Sequence, residues 1–187
     1  MAKKKQWYEI ISPNVFGNKV VGETITDEPK RLINRVIPVT GKELTGDIKK
    51  SYVTVKLKVN SITGDKANTV VNNYSVQRQY LQHFIRKGYS VIDIIADGKT
   101  EDNKNLRFKS LITIVGRVQT QKKKLIRKTF VSEIIKVINS SKLDNLIFLV
   151  IAGKVQHTLL KKVSKVFPIK LVEVKKIEIR SDKKTKA

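Results

Sequence analysis

Near residue 120 the apolar side chains change their spacing, and no all-α or all-β fold accommodates both patterns. In YVTVKLKVN, Val53, Val55, Leu57 and Val59 alternate with Tyr52, Thr54, Lys56 and Lys58. A period of two puts the first set on a buried sheet face and the second in water. Beyond 120 the interval is helical: Ile126, Phe130, Ile134 and Ile138 recur every fourth residue, the stripe of an amphipathic helix. Strands first and helices later make an α+β chain.

Turn chemistry divides the strand-rich part. Thr63-Gly64-Asp65 reads as a turn into ANTVVNNY, giving a β-hairpin over 51–74, and Pro38 makes RVIPVT an edge strand or a bulge. One helix between hairpins is predicted from Ser75, an N-cap residue, to Gly88, with Tyr80, Leu81, Phe84 and Ile85 as its stripe. YSVIDIIAD and LRFKSLITIVGRV bracket the polar GKTEDNKN as a second hairpin over 89–118. In its second strand Leu106, Phe108, Ile112 and Ile114 share one face, and Arg107, Lys109, Thr113 and Arg117 the other. After the helix that begins near 120, residues 143–166 read as a helix pair broken at Gly153, with Val155, Leu159, Val163 and Val166 on one face. LIFLVIA within it fits a buried strand equally well. Phe167-Pro168 ends the helices, and IKLVEVKKIEIR returns as a C-terminal strand whose alternation slips at Lys175-Lys176, the mark of a bulge.

Charge narrows the partner. Lys and Arg number 39 against 16 Asp and Glu, for a formal net charge of +23 and a sequence pI near 10.2. That is the footprint of a polyanion binder. Residues 117–187 hold 19 of the cations and 5 of the acids, so this third is the expected anchor. Within it QKKKLIRKTF, residues 121–130, puts Lys122, Lys123, Lys124, Arg127 and Lys128 at a helix start without one acid, although the helix dipole disfavours cations there. Arg78, Arg86, Lys87 and Arg117 add to the expected RNA-binding set. Lys161, Lys162 and Lys165 join it or form a solvated helix face. Lys3, Lys4 and Lys5 precede Trp7-Tyr8, aromatics that stack on bases or pin the arm to the core.

Other chemistry finds no support. GNKVVGE and GKELTGD have the glycine spacing of a phosphate loop, but Glu23 and Asp47 stand where Lys is needed, so these are read as turn glycines. KGYSVIDI, residues 87–94, has one aromatic, Tyr89, where the RNA-binding strand of an RRM needs two. Asp93, Asp97 and Glu101 fall on a strand and turn, as solvated acids. His83 and His157 lack partners at zinc-site spacing, and there is no cysteine. No nucleophile elbow or HExxH occurs, so no enzyme, cofactor or metal is expected. The chain shows no signal peptide, and its longest apolar run falls short of a membrane span, so a cytoplasmic protein without a membrane partner is expected.

KKKQWYEIISPNVFGNKVVGET, residues 3–24, with Trp7-Tyr8, Ser12-Pro13, Phe16 and Val21-Gly22-Glu23, resembles the opening signature of a small-subunit ribosomal protein family of archaea and eukaryotes, called S-one-e or S-three-a. IRKTF at 126–130 and VFPIKLVEVKKIEI at 166–179 resemble its basic helix and closing strand. The resemblance covers nearly the whole chain, and the short termini are similar to those of archaeal members. It implies a ribosomal structural protein with an antiparallel β-barrel-like core, on the small-subunit platform near the mRNA exit. Its implied partners are ribosomal RNA, neighbouring platform proteins and mRNA. The corresponding division is a basic arm over 1–6, a β-barrel-like RNA-binding domain over 7–119, a helical region closing with a strand over 120–180, and a basic tail over 181–187. Two departures stand out: Asp102-Asn103 replaces the family's Asp-Gly turn, where Asn also tolerates positive φ, and Phe167 replaces a Tyr.

Overall fold

The computed structural model describes residues 5–180, and Lys3, Lys4 and the tail at 181–187 lie outside them. The chain divides between Tyr74 and Ser75 into two compact units. This division follows contacts, whereas the one at 119/120 follows hydrophobic period.

In the first unit, strand β1 (Gln6–Ile11) runs antiparallel to β2 (Val20–Thr26), and β3 (Val36–Thr40) antiparallel to β4 (Val53–Thr63). β4 pairs with β5 (Lys66–Val76) across the Gly64-Asp65 turn, and β5 pairs in parallel with β1 through Glu9 and Lys66. The path β2-β1-β5-β4-β3 is open, with one parallel pair inside it. Val53, Val55, Leu57 and Val59 are buried as their alternation predicts, beside Tyr8, Ile10, Leu32 and Tyr74. Pro38 sits opposite Lys56 on β3, which pairs with β4 alone among the described residues. An edge position needs no N–H from it.

Sequence reading passed over β1, β2 and the short helix α1 (Gly41–Thr45). Thr40 accepts from the Glu43 N–H while the Glu43 carboxylate accepts from the Thr40 N–H, a capping box visible in TGKE. The four glycines read as turn residues divide. Gly17 and Gly46 are left-handed turn positions, but Gly22 lies within β2, and Gly41 starts α1 where a Cβ would come 2.6 Å from the Lys50 carbonyl oxygen.

The helix predicted over 75–88 shrinks to α2 (Arg78–Gln82), a single turn. Ser75 does not cap it, because β5 continues to Val76, burying Tyr74 and Val76. Of the expected stripe only Leu81 is buried; Ile85 is exposed, and turns carry the chain to Gly88.

The rest of the second unit follows the pattern closely. β6 (Tyr89–Lys99) and β7 (Asn105–Val115) form the predicted hairpin, with Asn103 at φ +60° in its turn. β8 (Leu171–Arg180) pairs with the other edge of β7, and the register jumps so that Lys175 is the extra residue of the expected bulge. Helix α3 (Thr120–Asn139) lies on β6 and buries Ile126, Phe130, Ile134 and Ile138. Gly98 permits the approach: a Cβ there would stand 3.1 Å from Ile138 Cγ2. LIFLVIA is helical, as α4 (Leu143–Ile151). Gly153, at φ +81°, turns the chain by 79° into α5 (Lys154–Val163), which packs on β8, α3 and α4 and buries Val155, Leu159 and Val163. Val166 falls past the end of α5 and is exposed, against expectation.

Candidate nucleic-acid interface

The β6–β7 hairpin has a turn end and an open end, and backbone hydrogen bonds fix what the open end displays. The Gly116 N–H donates to the Gly88 carbonyl at 3.0 Å. The Ser90 hydroxyl donates to the Gly116 carbonyl at 2.8 Å and accepts from the Val118 N–H at 3.1 Å. These ties hold Arg86 and Lys87, just before β6, close to Arg117, just after β7. α3 begins three residues later. Its first turn contains no acid, and Gln119, at the N-cap position, gives it no side-chain cap. Its Lys122, Lys124, Arg127 and Lys128 are exposed and Lys123 is half-buried. From Thr113 to Ser132 the chain carries six cations (Arg117 and the five on α3) and no acid. Helix dipole and side chains add with one sign.

Phe167 and Lys170 bind the chain after α5 to this end. The Lys122 ammonium lies 5.6 Å from the centroid of Phe167, a cation–π contact. The Lys170 N–H donates to the Thr113 carbonyl at 3.0 Å, and its ammonium donates to the Tyr89 hydroxyl at 2.7 Å. That bond, and then the ammonium charge, holds the Tyr89 phenol below its usual range. Among the same segments Ile85, Val115 and Leu125 are 51%, 62% and 53% exposed. Apolar groups left open between cations are surface that folding does not cover.

The remaining expected contacts divide. Arg78 is exposed at the start of α2. Lys161 and Lys165 are exposed at and beyond the end of α5, but Lys162 donates to Glu133 Oε2 at 2.6 Å while Lys136 donates to Oε1 at 2.8 Å. Those two hydrogen bonds, Lys136's first, hold the Glu133 carboxyl at about 2. Lys162 is therefore already paired. In the first unit Lys5 is exposed, Trp7 is 63% exposed and Tyr8 is buried, so Tyr8 does the pinning and the indole stays open. His83 and His157 are exposed, and the described residues contain no cluster of metal-ligating side chains. Asp93 and Asp97 are ion-paired, to Lys175 at 2.8 Å and Arg107 at 2.7 Å, instead of simply solvated. Sequence reasoning missed Lys170 and Phe167 as parts of this end. Lys170 lies 81 residues from Tyr89, and no spacing rule connects them.

The model of the ribosomal S3Ae family matches residues 1–182. The small ribosomal subunit protein eS1 of Methanobrevibacter smithii is 31% identical over 177 residues, which cover 95% of this chain and 92% of that protein. Its counterparts in Desulfurococcus amylolyticus and Staphylothermus marinus are each 33% identical over 177 residues, covering 95% of this chain and 83% and 84% of theirs.

Proposed function

Because the chain belongs to the ribosomal S3Ae family, whose members are structural constituents and not enzymes, we propose that it is built into the small ribosomal subunit and grips ribosomal RNA by the open end of its β6–β7 hairpin. The observation that carries this reading is the run from Arg117 through Lys128, which holds six cations and no acid and contains an uncapped helix start. Cations so placed displace the counterions condensed on phosphates and fix position without reading bases. Arg86, Lys87, Lys161 and Lys165 extend the grip. Arg78, Lys3 to Lys5 and Trp7 are further contacts in this reading. We assign the protein to the platform beside the mRNA exit, among neighbouring platform proteins, on the strength of the signature blocks at 3–24, 126–130 and 166–179.

Sucrose-gradient fractionation of a gentle, low-salt lysate tests this. The expected result is co-sedimentation with the small subunit, and release as salt is raised. Recovery only in the RNA-free fraction would overturn it, and recovery on heterogeneous RNA away from the subunit would identify a free-standing RNA binder or chaperone instead.

A further inference from the structure

We infer that a cleft at the open end of the hairpin, walled by Phe84 and Tyr89 and floored by Thr113, receives one unstacked base of a single-stranded RNA. This rests on the RNA-binding reading above and adds to it a site that takes the base instead of the phosphate.

The cleft measures about 160 Å³, below the roughly 300–1,000 Å³ of sites that hold drug-sized ligands, and suits a single ring system. Its residues come from three separate stretches: Phe84, Arg86 and Tyr89 from the end of α2 into β6; Thr113 on β7, two residues before Val115, the partner of Tyr89; and Lys170 before β8. Phe84 is held by edge contacts with Tyr80, centroids 5.0 Å apart, and His83, 5.8 Å apart. Tyr89 is held by Lys170, whose ammonium sits 4.5 Å from the ring centroid and bonds the hydroxyl. Fixed rings are what a base stacks on, since every base presents a π-face.

The floor supplies the second observation. Thr113 is 1% exposed, and its hydroxyl oxygen is buried with no hydrogen-bond partner. A buried hydroxyl without a partner leaves its desolvation uncompensated, and a bound group that pairs with it removes that cost. A hydroxyl both donates and accepts, so a rotation of the Thr113 side chain that brings its covered oxygen to the cleft lets it meet an edge atom of any base, which makes the site tolerant of sequence. No acidic side chain among the described residues lines the cleft, and Arg86 at its side is placed for the phosphate that accompanies an extruded nucleotide. A protein carboxylate would use the cations and leave the rings idle. The combination of rings, free hydroxyl and cation favours a nucleotide.

The test compares the isolated protein's affinity for two single-stranded RNA hexamers of equal phosphate count, hexa-adenylate and its fully abasic analogue, by fluorescence anisotropy at low salt. The wild type is expected to prefer hexa-adenylate about tenfold, within the range of one stacked base. Tyr89→Leu should abolish the preference and Tyr89→Phe should keep it. Thr113→Val, which removes the unpartnered hydroxyl and so leaves the fold at least as stable, should reduce it severalfold. Lys122→Gln/Lys123→Gln/Lys124→Gln should weaken both hexamers alike and leave the preference intact. Equal, salt-sensitive binding of both hexamers by the wild type overturns the base site and spares the phosphate grip. A preference that survives both Tyr89→Leu and Thr113→Val places stacking elsewhere, with Trp7 the next candidate, and also overturns it. Failure to bind either hexamer overturns the RNA reading itself.

Discussion

The turn end of the β6–β7 hairpin and its open end lie on the same two strands and treat charge in opposite ways. At the turn end Asp97, Lys99, Glu101, Asp102 and Lys104 mix signs within eight residues, and the acids serve the fold. The Asp102 carboxylate accepts from the Leu143 N–H at 3.1 Å, capping α4 from 41 residues away, and Asp97 takes Arg107 in a two-point bond. At the open end the cations meet no acid among the described residues, and the helix start there has no side-chain cap. The difference teaches how to separate structural charge from functional charge within one element. Where folding needs a charge, the chain supplies its partner.

The strongest way to break this contrast is to neutralise one end at a time. Replacing Lys122, Lys123 and Lys124 with Gln should lower the slope of log affinity against log salt for ribosomal RNA fragments by up to ~3 units, at ~0.9 per duplex phosphate contact. Replacing Lys99 and Lys104 should leave it unchanged. Equal effects at the two ends would dissolve the distinction.

A smaller effect should run the other way. Asp102→Ala removes the cap of α4 and should destabilise the second unit by about 1 kcal/mol in chemical denaturation, with no change in the salt slope of RNA binding. If stability held and the slope moved, Asp102 would belong to the interface.

Acid sharpens the comparison further. Hydrogen bonds from Lys136 and Lys162 hold Glu133, and those from Lys176 and Lys109 hold Glu178, at about 2 in place of 4.5. Folded values below the unfolded ones mean that the stabilisation is complete above about pH 4.5 and is lost as pH falls towards 2. Both carboxylates lie at or near the surface, so the loss is modest. Denaturation curves across that range should flatten in a Glu133→Gln/Glu178→Gln variant. The smallest shift belongs to a Lys123→Gln/Lys124→Gln variant, which keeps the Lys122–Phe167 contact and should melt slightly higher, by a few tenths of a kcal/mol per removed charge.

Legibility followed local pattern. The α3 stripe, the 89–118 hairpin, the Lys175 bulge and the positive φ of Asn103 could all be read because each is written within a few residues. The helix at 75–88 misled because β5 shifts phase: Ala67, Thr69 and Val71 are buried, then Tyr74 and Val76, so the strand's last residues read as a helix start. The cations of the interface were legible as composition, but their pairing was not. Nothing near Lys162 in sequence announces Glu133, and nothing near Tyr89 announces Lys170. Partners brought together by the sheet carry no local mark.

The returning strand has a consequence for synthesis. β7 bonds β6 on one edge and β8 on the other, yet β8 is the last described element of the chain. While a ribosome makes this protein, the hairpin emerges with the second edge of β7 open, and the residues of α3, α4 and α5 are all made before residues 171–180 arrive to close it. An open edge beside Phe108, Ile112 and Ile114 is a template for the wrong strand. The nascent chain is therefore most exposed to mispairing during the translation of residues 116–170. A ribosome paused in that interval should yield the aggregation-prone species, and one paused after the strand has emerged should not.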